Sequence, residues 1–148
     1  MPIVGMTIKS VEAKRTEDYV GEFQVQSQTN LGTIKEQELG AIGKLGAVVP
    51  FEFKTIYLKG KESKEQFANI IISGEVYLVD SANDKPIEEW KKEKRFKDET
   101  NISIINSILR RCVARSIGLS DELQLPPPIS FPYASKEKPK QEESRYIG

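Results

Sequence analysis

The 148-residue sequence contains no histidine and a single cysteine. Without histidine, neither the Ser-His-Asp nor the Cys-His relay can form. The side chain that titrates closest to neutral pH is also missing. Zinc sites draw on Cys, His and carboxylates at short characteristic spacings, and no such spacing occurs. One cysteine cannot make an internal disulfide, which fits a reducing, intracellular compartment. Net charge is lacking as well. The 22 acidic and 22 basic residues balance, removing the basic excess on which nucleic-acid binding draws. No window approaches the ~20 apolar residues of a membrane span. The N-terminus "MPIVGMTIKSVEAKR" has neither the basic nor the long apolar region of a signal peptide. The expectation is a cytoplasmic, non-enzymatic chain with no metal, no cofactor and no membrane insertion.

What is present is ordinary globular composition, 38% hydrophobic and 30% charged, in a length that suits one domain. The first half reads as strands. "MTIKSVEAKR" and "GEFQVQSQ" are β-rich and separated by a polar turn, "RTEDYVG". In the second run Phe23 and Val25 alternate with Glu22, Gln24 and Gln26, giving one dry and one wet face. "LGTIKEQELGAIGKLGAVVP" is interrupted by four glycines and reads as a long, partly extended connection, a type that tends to carry function. Two strong strands follow. "VVPFEFKTIYLK" places Val49, Phe51, Phe53 and Tyr57 on one side. "NIIISGEVYLV" places Ile70, Ile72, Val76 and Leu78 on one side. The short linker between them predicts an antiparallel hairpin.

Pro86 opens a short helix, "PIEEWKKEKRF", at the position where proline is tolerated. A main helix is predicted from about Thr100 to Ile117. Its apolar stripe is Ile102, Ile105, Leu109, Cys112, Val113 and Ile117, with Ile104 and Ile108 beside it as an extra apolar side for a second packing partner. Gly118 reads as the left-handed residue ending this helix, and Ser120 as the cap of a further brief turn. The strip "LQLPPPISFP" must be extended, because each proline fixes φ and disfavours helix before it. Residues 133–148 are polar and charged, the composition of a mobile tail. The sum is one α+β domain over residues 1–132: about four antiparallel strands, then helices on one sheet face.

Several features invite chemistry. "GAIGKLG" resembles a phosphate loop but lacks the first glycine and the Ser or Thr after the lysine, so a connection is the better reading. Arg110, Arg111 and Arg115 suit either a solvated helix face or a partner's carboxylates, and with "KKEKRFK" they leave an RNA-associated alternative open. Cys112 reads as a buried small hydrophobe, and Trp90 as a lid over the sheet edge or an interface anchor. The strip from Leu125 to Phe131 either seals the core or lines a groove for extended peptide, since rigid proline-rich surfaces lose little entropy on binding.

The order of elements and the segments "ISIINSILRRCVARSIG" and "LPPPISFP" resemble the bacterial protein-export chaperone family SecB. The likeness is greatest to archaeal SecB-like proteins carrying "ILRRC" and "LPPPI" in this order. The resemblance implies a four-stranded antiparallel sheet with the long helix and a short helix on one face. It also implies a homo-oligomer, a dimer of dimers, assembled through the long helix at Ile104, Ile108, Arg111 and Arg115. It implies unfolded or nascent polypeptides as partners, held in an apolar groove at Leu39, Ile42, Leu45, Phe51, Phe53, Leu125, Pro127, Pro128, Ile129 and Phe131. The bacterial family is acidic and docks on the translocation motor by charge. This neutral chain departs from that, so holding of substrate transfers better than export targeting. The competing reading is a non-catalytic scaffold subunit that uses the same strip and helix as permanent interfaces.

Overall fold

The computed structural model describes residues 3–40, 44–62 and 64–129. In chain order the elements are β1 (Ile3–Arg15), β2 (Phe23–Leu31), β3 (Lys35–Leu39), β4 (Lys44–Lys59), β5 (Gln66–Val79), α1 (Pro86–Glu93) and α2 (Asp98–Glu122). All strand pairs are antiparallel, in the order β1-β5-β4-β2. β3 pairs with the first part of β4, on the edge that β2 occupies further along. The five strands therefore make a sheet four strands wide, with both helices packed on one face, the α+β architecture expected.

β4 and β5 form the centre, and their alternation holds. Val49, Phe51, Phe53 and Tyr57 share the buried face with Ile70, Ile72, Val76 and Leu78. β2 and β3 are one edge interrupted at Gly32, whose N–H donates to the Pro50 carbonyl at 2.8 Å. A Cβ at Gly32 would sit 3.2 Å from the Pro50 ring. Gly74 solves a tighter problem, since a Cβ there would lie 2.0 Å from the Thr7 carbonyl of β1.

Two connections differ from expectation. The glycine-dotted stretch, read as a long, partly extended connection, holds β3 and is the β3–β4 hairpin. The segment that crosses is residues 16–22, read from sequence as a simple turn. β1 and β2 lie on opposite edges, so the chain between them must traverse the end of the sheet. Thr16 N–H donates to the Phe67 carbonyl at 2.9 Å, and the Tyr19 ring packs 5.0 Å from that of Phe67.

α1 is capped from a distance. Asp80, just past β5, accepts from the N–H groups of Ile87 at 2.8 Å and Glu88 at 3.3 Å, satisfying first-turn donors that no local side chain reaches. Trp90 is half-buried against the core, 6.4 Å from the Phe96 ring.

α2 faces the sheet with Ile104, Ile108, Cys112, Ser116 and Leu119, all buried. This corrects the assignment of Ile104 and Ile108 to an outer interface: both are 0% exposed, whereas Ile102 is 57% exposed. Steps of four residues overshoot a full turn by ~40°, so the buried line winds around the helix. The helix also does not end at Gly118. It continues to Glu122, and the left-handed residue is Gln124 at φ 56°. Gln124 N–H donates to the Asp121 carbonyl at 3.1 Å and Leu125 N–H to the Ser120 carbonyl at 2.8 Å. That pair of bonds is a Schellman motif, and the buried Leu119 and Leu125 supply its apolar contact. Ser120 caps nothing downstream; its hydroxyl donates back to the Ile117 carbonyl at 2.8 Å.

The chain end therefore responds oppositely to the sequence expectation. Gly118→Ala has open space around it and should stabilise by roughly 0.5–1 kcal/mol. Gln124→Gly relieves a left-handed conformation and should stabilise by about 1 kcal/mol. Urea denaturation measures both, and a destabilised Gly118→Ala would restore the helix end at that glycine.

Candidate functional site

Four residues lie side by side across the sheet. Arg15 pairs with Ala68, Ala68 with Tyr57, and Tyr57 with Val25. The proline strip follows this row at a large angle to the strands. The Arg15 guanidinium donates to the Leu123 and Gln124 carbonyls, both at 3.0 Å, closing the C-terminal end of α2. The Tyr57 hydroxyl donates to the Pro126 carbonyl at 2.6 Å. Three main-chain carbonyls are thus held by two side chains, Leu125 N–H is taken by the Ser120 carbonyl, and Pro126, Pro127 and Pro128 contribute no N–H that would need a partner. Arg15 Nε is buried and lies 3.6 Å from the Asp18 carboxylate, just beyond hydrogen-bond range.

The strip divides into two parts. Leu125 is 7% exposed and belongs to the core, while Pro126, Pro127 and Pro128 are half-buried and Ile129 is 43% exposed. The first part seals the core and the second offers apolar surface. That surface adjoins the least covered part of the sheet. On β4 and β5 the helix-facing residues are buried. On β2, Val25, Thr29 and Leu31 are half-buried, and Phe23 and Ser27 are exposed. α2 packs mainly on β5, with β1 and β4 beside it. Arg111 donates to the Met6 carbonyl of β1 at 3.3 Å. Leu109 and Val113, each two residues away, lie on the opposite flank of the helix. Both are half-buried against the core, facing away from β1 and so toward β2. By strand register and helix phase these residues outline an apolar trough, with Val25 and Leu31 as floor, Leu109 and Val113 as one wall, and the prolines with Ile129 at one end.

The expected site residues distribute unevenly. Phe51 and Phe53 are buried beneath α2 and cannot line an open groove, because their side chains are already consumed by the core. Leu39 is half-buried at the end of β3, and Leu45 is exposed in the β3–β4 hairpin, away from the trough. Pro127, Pro128 and Ile129 border it; Ile42 and Phe131 lie outside the described residues. Sequence reasoning missed Leu31, Leu109, Val113 and Val25 as site residues, although the Phe23–Val25 alternation marked the dry face of β2. Arg111 and Arg115 are exposed on α2.

Two buried groups near the strip are shifted away from reactivity. Burial pushes the Tyr57 phenol up to about 12, with Ser120 pulling weakly the other way, so it remains a neutral donor. Burial likewise raises the Cys112 thiol to about 11, with Arg111 opposing, which leaves it unreactive at neutral pH. The basic run near α1 is partly paired, Lys91 with Glu36 at 2.6 Å and Lys97 with Glu89 at 2.7 Å. Among the described residues no group of three or more His, Cys, Asp or Glu could hold a metal ion. Among the same residues no helix is long and apolar enough to cross a membrane.

No protein-family model matches the chain, and no curated protein matches its sequence. Its structure is similar to that of a SecB-like chaperone of Mycobacterium tuberculosis (Rv1957), solved in complex with a ChAD peptide from the Rv1956 HigA1 antitoxin. The TM-score is 0.56 at 12% sequence identity, over 92% of this chain and 91% of that one. At this identity the likeness is one of fold, and it shows a SecB-like α+β fold here.

The Tyr57 hydroxyl gives a pH test. Below pH ~10 the phenol is protonated folded and unfolded, and its stabilising effect is fully present. As pH rises through about 12, the unfolded state ionises first and stability falls by on the order of 2–3 kcal/mol. Tyr57→Phe should cost about 1–2 kcal/mol at pH 7 by stranding the Pro126 carbonyl. The stability gap between the two proteins, measured by urea denaturation, should close between pH 10 and 12 and then reverse. A constant gap would contradict this reading.

Proposed function

We propose that this chain is a holding chaperone, a non-enzymatic binder of unfolded or extended polypeptide segments that works without ATP. The observation that carries the reading is the half-covered inner face of β2 beside the strip, an apolar surface bordered by prolines whose strip is pinned by the Tyr57 hydroxyl on the Pro126 carbonyl. Unfolded chains offer alternating apolar side chains, and an apolar surface of this kind covers them without selecting a sequence. The peptide seated on the structurally similar Mycobacterium protein supports the same reading. Holding requires only apolar burial.

The reading includes a cytoplasmic location, a link to protein export and assembly into a homo-oligomer. Any assembly through α2 has to use exposed residues such as Ile102, Arg111 and Arg115, and not the buried Ile104 and Ile108.

Light scattering of a chemically unfolded client tests the proposal. Equimolar protein should suppress aggregation, and an apolar unfolded peptide should bind with measurable affinity. Ile129→Asp, at an exposed position, should leave stability within about 0.5 kcal/mol. It should weaken peptide binding by about 1 kcal/mol, several-fold, through loss of apolar contact. If the wild-type protein fails both to suppress aggregation and to bind the peptide, the function is refuted.

A further inference from the structure

The two helices begin differently. α1 has its first-turn N–H groups taken by Asp80. α2 follows Lys97, which supplies no side-chain cap. Its first helical bond runs from Asn101 N–H to the Lys97 carbonyl at 3.0 Å. The N–H groups of Asp98, Glu99 and Thr100 lie before that bond, and among the described residues nothing accepts from them. This helix end opens on a polar cleft of about 430 Å³ between the β5–α1 loop, α1 and the first turns of α2. Thr100 lines the cleft and is only 7% exposed. Its hydroxyl has no hydrogen-bond partner among the described residues, and so enclosed a hydroxyl is costly to leave without one.

The charges of the cleft are only partly matched. Lys97 is taken by Glu89 at 2.7 Å, and Lys85 lies 3.9 Å from Glu88. Asp84 and Glu99 line the same cleft, and among the described residues neither carboxylate has an ion-pair or hydrogen-bond partner. Both still act on Lys97. Its ammonium is held up first by the hydrogen bond and charge of Glu89, then by the charges of Glu99 and Asp84. The two free carboxylates therefore face the region in front of Lys97. A bare anion suits the helix N–H groups but is repelled by Asp84, Asp98 and Glu99. A bare cation suits the carboxylates but not the positive helix end. A small molecule carrying both charges satisfies both sets.

We propose that this cleft binds a free α-amino acid. The ligand carboxylate takes the capping place that Lys97 leaves open. It accepts from the N–H groups of Glu99 and Thr100 and from the Thr100 hydroxyl. The ligand ammonium, one carbon away, donates to the Asp84 and Glu99 carboxylates. The cleft lies at the start of α2 and the proline strip at its end, about 37 Å along the helix. The site is thus separate from the trough, and the proposal stands independently of the holding function.

Amide NMR of the full chain, titrated with glycine and with L-serine at constant ionic strength, tests this. Saturable shifts in the millimolar range should appear at Asp84, Glu99, Thr100 and Ser103. Acetate and methylammonium each carry one of the two charges and should bind on the order of ten-fold more weakly than glycine. Thr100→Val keeps the shape and removes the hydroxyl, and Asp84→Asn removes one carboxylate charge without touching the core. Each should weaken glycine binding on the order of ten-fold, and the Asp84 variant reads the site even where the Thr100 variant folds poorly. No saturable shift with either amino acid would overturn the proposal. Acetate or methylammonium binding as tightly as glycine would make the cleft a plain anion or cation site and would overturn it too, as would folded variants that bind glycine like wild type.

Discussion

A sheet four strands wide spans roughly 19 Å, about twice the ~10 Å breadth of an α-helix. One long helix cannot cover it. α2 lies over the centre, α1 covers part of β5, and the residue ends of the chain must cover what remains. The crossing segment at Tyr19 closes one end over Phe67. The proline strip closes the flank at Tyr57. β2 is left half-covered, and the candidate site exists because of this shortfall in width.

The strip is suited to its place by what it lacks. An extended segment lying across strands cannot join their ladder, so its N–H groups would be stranded beside a buried face. Prolines remove those groups, and Arg15 and Tyr57 take up the carbonyls. Leu125 then anchors the strip into the core as the apolar arm of the helix-ending motif. The same features keep Pro127, Pro128 and Ile129 rigid and half-exposed, a surface that loses little entropy when it binds. Sealing and binding are thus performed by successive residues of one strip and are not alternatives.

Local patterns made much of this legible. The two-residue alternation of β4 and β5 identified the buried face, and Pro86 marked the start of α1. The helix face was less legible. On α2 the rows Ile104–Ile108–Cys112 and Ile105–Leu109–Val113 are parallel, similarly apolar and one residue apart, so periodicity cannot rank them. Only the sheet beneath decides, and it selects the first row. The helix end was hidden because the left-handed residue is Gln124, stabilised by the distant Arg15, while Gly118 offered a more conventional signal. The edge-to-edge crossing by residues 16–22 depends on which strands pair, a long-range fact that no local pattern carries. Phe51 and Phe53 looked like binding residues because aromatic strand positions serve a core and a groove equally well.

The central claim is that extended polypeptide occupies the half-covered trough over β2. Backbone and methyl NMR of the full chain, titrated with an apolar unfolded peptide, measures this directly. The account predicts shifts concentrated at Val25, Leu31, Leu109, Val113 and Ile129, with β1 largely unmoved. Shifts confined to the groove between the start of β1 and Arg110–Arg111, or none at saturating peptide, would contradict it.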